Sequence, residues 1–203
     1  MPRSTRETVY EKLSTQIEIR NYANAEKRVI EITVLSRNEI LKNIEEGKIR
    51  IVPFEEDQVG PVSIDLTLGN EFRVFRKVRK IFHVNENVDY EKVTEVVSVK
   101  DGDYLLLMPG ELVHGITKEK IKLPEDLGGW IEGRTRFARI GLMIHVTAGL
   151  VQPGCDNRQV LEISNMSPMP VALYPGTRIC QIILERIEGK AKYEGSFKDQ
   201  ANP

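Results

Sequence analysis

Apolar and polar residues alternate along most of this chain, and the period changes once. Near the N-terminus Val9, Leu13 and Ile17 recur at helical spacing, which predicts a short amphipathic helix. Val29 to Val34 then reads as a strand. Ser36-Arg-Asn-Glu39 carries a capping-box pattern, with Ser36 as cap and Glu39 reaching back. Ile40, Leu41 and Ile44 supply the buried stripe of that helix, and Gly47 fits a left-handed stop. From Ser63 the period falls to two. Residues 63–69 and 71–75 alternate, and 93–99, 104–108, 113–117, 129–132, 141–147, 160–165, 171–174 and 178–187 continue the series. Pro109-Gly110, Pro153-Gly154 and Pro175-Gly176 are turns between strands. Many short strands, with little helix after residue 47, predict a mainly β architecture, closed or sandwiched. The chain thus divides into an N-terminal extension (1–33), a β domain (34–188) and a polar C-terminal tail (189–203).

At 203 residues, 40% hydrophobic and 29% charged with a net charge of −1, the sequence describes one well-cored soluble domain. The balanced charge gives no global basic footprint for nucleic acid, and no apolar run reaches membrane-spanning length. The expectation is a cytoplasmic protein with neither nucleic acid nor membrane as partner. Cys155 and Cys180 lie in no Cys-x-x-Cys, and His83, His114 and His145 are scattered. Free thiols and no zinc constellation follow.

The chemistry concentrates in one stretch. Arg134, Arg136 and Arg139 fall within six residues, an apolar run and a Pro-Gly turn follow, and Glu162 then interrupts an apolar strand. Guanidinium groups match phosphate oxygens with a planar fork of donors and never lose their charge. A glutamate inside such a site can serve as a general base. The pattern equally fits strand arginines on a wet face with Glu162 pairing to one of them.

Five segments carry a resemblance. They are Ser63-Ile-Asp-Leu-Thr-Leu-Gly-Asn-Glu-Phe72; Gly133-Arg-Thr-Arg-Phe-Ala-Arg-Ile-Gly141; His145-Val-Thr-Ala-Gly149; Pro153-Gly154 with Val160-Leu-Glu162; and Leu173-Tyr-Pro-Gly176 with Ile179-Cys-Gln-Ile182. In this order and spacing the chain resembles the dCTP deaminase branch of the dCTP deaminase/dUTPase family, from about Leu35 to Gln200. The resemblance implies a β-clip, that is, a distorted jelly roll like that of dUTPases. It also implies a homotrimer with active sites at subunit interfaces, and zinc-independent hydrolysis of dCTP to dUTP and ammonia. The triphosphate would arrive as its magnesium complex.

By the same resemblance Glu162 is the general acid/base, Arg139 orients it, and Thr135 and the Ala148 carbonyl help hold the attacking water. Thr135 stands where the family usually has serine, keeping the hydroxyl on a stiffer side chain. Arg134, with the backbone at Thr135 and Arg136, matches the phosphate-binding part of the motif. Arg136 replaces a small hydroxyl residue, and Ser196 replaces a tail lysine; the expectation is that Arg136 supplies the charge the tail has lost. Tyr193 and Gln200 match a tail that closes over the nucleotide, though the segment also reads as a mobile end. Gln159 matches a position whose backbone reads the cytosine edge. Asp65 is expected to be mainly structural, and His145-Val146 matches a segment that shifts between active and inhibited forms.

Gln152 is the most telling departure, because an aspartate is usual there. An amide can bond a sugar hydroxyl but cannot take the proton of a water attacking phosphate, so pyrophosphate release should be impaired. Three readings follow: a dCTP deaminase; a bifunctional deaminase and dUTP diphosphatase, or a dUTPase; and a non-catalytic nucleotide-binding regulatory trimer.

Overall fold

The computed structural model describes residues 33–77, 81–86, 88–198 and 200–203. The expected helix around Val9 to Ile17 and most of the expected 29–34 strand lie outside the described residues. Val34 makes an antiparallel bridge to Glu185.

Helix α1 (Arg37–Glu45) buries Ile40 and is followed by Gly47 at φ 69°, the left-handed stop its glycine allows. The expected capping box is absent: Ser36 occupies the cap position but its side chain makes no cap bond. A neighbouring loop instead meets the first helical N–H and the Arg37 side chain. The Arg37 N–H donates to the Pro61 carbonyl at 2.7 Å, and its guanidinium donates to the Val59 carbonyl and to Glu56. A capping box does close on the short 3₁₀ turn Glu56–Gln58, between Glu55 and Gln58.

The period-two segments become strands β1 (Arg50–Val52), β2 (Ile64–Phe75), β3 (Thr94–Ser98), β4 (Leu105–Leu107), β5 (Leu112–Lys122), β6 (Leu127–Gly133), β7 (Leu142–Ile144), β8 (Leu150–Val151), β9 (Asp156–Asn165), β10 (Val171–Leu173) and β11 (Arg178–Arg186). Nine form one sheet in the order β7-β9-β5-β2-β11-β6-β8, with β1 also on β5 and β3 also on β2. β4 and β10 form a separate pair. All these pairings are antiparallel.

The two segments expected at 63–69 and 71–75 are one strand, β2, which changes partner along its length. Its first half pairs with β11 and its second with β5 and β3. That handover curls the sheet around a core in which Ile64, Leu66, Leu68, Phe72, Ile116, Leu161, Ile163 and Ile182 are buried. Each such side chain contributes about 1.5–3 kcal/mol. The mainly β expectation holds, and β8 is an addition to it.

Two local readings change. The arginine run is not strand: Thr135–Ala138 is a one-turn helix, α2, closed by Ala138 N–H to Arg134 carbonyl and Arg139 N–H to Thr135 carbonyl at 3.1 and 3.0 Å. The tail is tied down rather than loose. Ala191 N–H donates to the Glu125 carbonyl, Tyr193 N–H to that of Pro153, and Arg158 N–H to that of Gln200, at 2.8, 3.0 and 3.3 Å. The Gln200 amide returns a bond to the Arg158 carbonyl at 3.0 Å. Among the described residues no helix is long and apolar enough to cross a membrane.

Candidate active site

Strand alternation decides which side chains can meet. On β9, Leu161 and Ile163 turn into the core and are fully buried, so Glu162 between them points to the other face and is half-buried. Pairing with β5 puts His114 directly opposite Glu162, and pairing of β5 with β2 puts Arg73 opposite His114. Arg73, His114 and Glu162 thus form a row across three strands and line one cavity of about 760 Å³. Gly115, beside His114, has no room for a side chain: a Cβ would lie 2.9 Å from a Leu68 methyl and 3.0 Å from one of Ile163. This lets the core pack tightly behind the row.

The Glu162 carboxylate is already held. The Thr147 hydroxyl donates to it, 2.6 Å from each oxygen, and the Thr147 N–H reaches Oε2 at 3.1 Å. The segment that brings Thr147 there begins at His145, a non-glycine residue at φ 57° whose N–H donates to the Glu162 carbonyl at 2.7 Å. His145 Nε2 lies 2.8 Å from the Ala148 carbonyl oxygen. A carbonyl only accepts, so Nε2 carries a proton, and among the described residues the buried Nδ1 has no hydrogen-bond partner. Ala148, expected to hold water through this carbonyl, keeps a second lone pair for it.

Ala148, Gln152, Gln159, Tyr193 and Gln200 line the same cavity as Glu162, as does Ser196. The Gln159 N–H donates to the Thr117 hydroxyl at 3.0 Å and its side chain to Asn157 at 2.7 Å. The Arg73 guanidinium, buried, donates to the Pro203 main-chain oxygen at 2.6 Å and to the Thr94 hydroxyl at 3.2 Å, and stacks 5.0 Å over the Tyr90 ring. Asn202 and Pro203 complete this end of the cavity.

Arg134, Thr135, Arg136 and Arg139 are not on its wall. Within one chain Arg139 makes no ion pair with Glu162 among the described residues; the expected orienting role is for a site shared between subunits. Thr135 and Arg136 on α2 and Arg139 just after it are exposed. Arg134 instead pairs with Asp65 at 3.0 Å and donates to the Arg178 carbonyl at 2.8 Å, giving Asp65 the structural part foreseen for it. The reason is topological: α2 follows the far end of β6, which pairs with β11 and β8 and not with β9.

Sequence reasoning missed Thr147, His114 and Arg73. The signal for the last two was their place on alternating strands, but only register reveals that they face Glu162. Burial lowers the tendency of His114 to take a proton; Glu162 opposes this and Arg73 reinforces it. Burial pushes the Cys155 thiol up to about 11 and the Cys180 thiol higher than its ordinary value. Both cysteines are free and buried, which leaves them inert as nucleophiles. Among the described residues no three His, Cys, Asp or Glu side chains cluster to hold a metal ion.

Comparison with known proteins adds the family. The dCTP deaminase-like family model matches residues 34–187. A protein of Methanobrevibacter smithii named "dCTP deaminase, dUMP-forming" is 41% identical over 163 residues, 79% of this chain and 84% of that protein. One of the same name from Methanothermobacter thermautotrophicus is 44% identical over 164 residues, covering 79% and 83%. In fold, the chain resembles the 2′-deoxycytidine 5′-triphosphate deaminase of Agrobacterium tumefaciens, with a TM-score of 0.60 at 21% identity, over 76% of this chain and 48% of that one. The family model spans most of the chain and includes Glu162, so the chain belongs to the dCTP deaminase-like family.

Proposed function

We propose that this protein hydrolyses dCTP to dUTP and ammonia, with Glu162 as general acid/base. The observation that carries the reading is the position of Glu162: half-buried on the wall of a cavity sized for a nucleotide and oriented by three contacts from Thr147. Water adds to C4 of the ring while Glu162 takes its proton and passes it to N3. Collapse of the tetrahedral carbon then expels the amine, which leaves as ammonia with the second proton. Thr147 and the free lone pair of the Ala148 carbonyl fix the carboxylate and the water.

The arginines complete the site from a second copy of the chain. Thr135 and Arg136 on α2 and Arg139 just after it stand exposed and off the cavity wall that the Glu162 of their own protomer lines, which suits a homotrimer whose subunits exchange these halves. Arg134 and Arg136 then grip the polyphosphate, and Arg139 reaches the neighbouring carboxylate. Magnesium belongs to the substrate in this scheme. The protein offers no carboxylate cage among its described residues, and magnesium ordinarily binds through phosphates with few protein ligands.

The names of the relatives favour a second reading, in which dUTP loses pyrophosphate in the same pocket to leave dUMP. Gln152 weighs against it: it lines the cavity, and its amide cannot accept and hold the proton of an attacking water. The test is incubation with dCTP and magnesium, with dCTP, dUTP, dUMP and ammonia resolved over time. Accumulating dUTP supports the first reading and dUMP the second. Binding without either product leaves a regulatory nucleotide-binding protein and overturns both.

A further inference from the structure

The row that ends at Glu162 contains a group with no part in the scheme above. His114 is its direct cross-strand neighbour, and such pairs have Cβ atoms about 4.5–5.5 Å apart on one face. Both side chains line the same cavity. We propose that His114 is a positioning residue for Glu162: neutral, it leaves the carboxylate free to take the proton of water; protonated, it draws that carboxylate into an ion pair and stops the reaction. The inference rests on reading the pocket as a deaminating site with Glu162 as base.

The surroundings of His114 support it. The Phe75 ring meets the imidazole edge-on, 5.4 Å between centroids at 74°, and confines it on the β2 side. Arg73, also on β2, adds a positive charge whose place is fixed by Thr94, Tyr90 and Pro203. Glu91 stands behind Arg73, 4.0 Å from its guanidinium. On β9 the facing charge is Glu162 itself. Among the described residues the other ionisable side chains on the cavity wall are Tyr90, His145, Cys155 and Tyr193. Burial and Arg73 together favour the neutral ring against the pull of Glu162, so the ring is uncharged at neutral pH and gains its proton only in acid. Protonation of His114 thus puts a positive charge beside the Glu162 carboxylate, its cross-strand partner on the wall of the same cavity.

Two measurements test this. In the first, the ring protons of the three histidines are titrated by NMR in the wild type and in Glu162→Gln, with His114→Asn giving the assignment. The His114 midpoint is expected to fall by about half a unit or more when the facing charge is removed. An unchanged midpoint overturns the pairing. The second is the pH dependence of ammonia release from dCTP. Wild-type log(kcat/KM) should fall on the acid side with a slope approaching about two, one ionisation for Glu162 and one for His114. His114→Asn should reduce that slope to about one, and His114→Gln, which cannot take the proton either, should not restore it. An acid limb in His114→Asn that superimposes on the wild type overturns the positioning role. A wild type that releases no ammonia at any pH overturns the deaminase reading and the kinetic half of the inference with it, and the NMR arm then decides the pairing alone.

Discussion

Glu162 and Arg139 both sit in the strongest motifs of this chain, yet the fold treats them in opposite ways. Glu162 lies in mid-strand, flanked by fully buried Leu161 and Ile163 and held by Thr147. Arg139 follows a one-turn helix and faces solvent. The carboxylate is placed by packing within one chain, so its geometry is finished before any partner arrives. Among the described residues the guanidinium has no hydrogen-bond or ion-pair partner, and in the proposed scheme it takes its place only against a second copy. In that scheme the residue that takes the proton of water is built into the sheet, and the residue that reaches a neighbouring carboxylate waits at the surface.

The sharpest way to break this contrast is at Glu162. Glu162→Gln is nearly isosteric and keeps the hydrogen-bonding reach of the carboxylate, so dCTP binding should survive while kcat falls by about 10²–10⁴-fold or more. Turnover at the wild-type rate would remove Glu162 from the chemistry. Next comes the exchange between protomers. Arg139→Ala alone should cost about 10²-fold in kcat/KM. Co-refolded with Glu162→Gln at equal amounts, it should regain activity, because about a quarter of the sites then combine an intact Glu162 with an intact Arg139 from another chain. A mixture as inactive as its components would place both residues in one protomer's site or neither. A smaller effect is expected at Arg136, whose replacement by Ser should raise KM for dCTP about tenfold and leave kcat nearly unchanged; titration of initial rates against dCTP decides it.

The smallest effect concerns stability. The folded state holds the His114 proton affinity below its ordinary value of 6.5. The unfolded chain therefore binds the extra proton first, and the contribution is present in full above about 6.5 and lost as the pH falls through the lower folded-state value. The melting temperature of the wild type should drop between pH 7.5 and pH 5 by more than that of His114→Asn. Equal drops would mean that the imidazole titrates as it does in open water, and that its strand neighbours do not hold it.

Much of the fold was legible because strands announce themselves by alternation: residues 171–174 and 178–187 were placed within a residue or so of β10 and β11. Glu162 was legible too, as a charge where the period demanded an apolar or outward-facing residue. Ser36 misled, because this end of the helix is anchored through the Arg37 N–H and guanidinium to the Pro61 and Val59 carbonyls rather than through the Ser36 side chain. The arginine run misled for a local reason as well, since four residues closing one helical turn leave no period to read.

From the sequence by itself followed the period-two framework, the turn at Gly47, the glutamate on β9 and the family motifs, all properties carried by neighbouring residues. Only the tertiary structure decided that β2 joins two halves of the sheet, that the tail ties back to Arg158 and Arg73, and that His114 and Arg73 stand in line with Glu162. It also decided that the arginines lie off the cavity wall that the carboxylate of their own chain lines. These are matters of register and strand order, set by contacts between residues far apart in sequence. A one-residue slip would send each of those side chains to the opposite face.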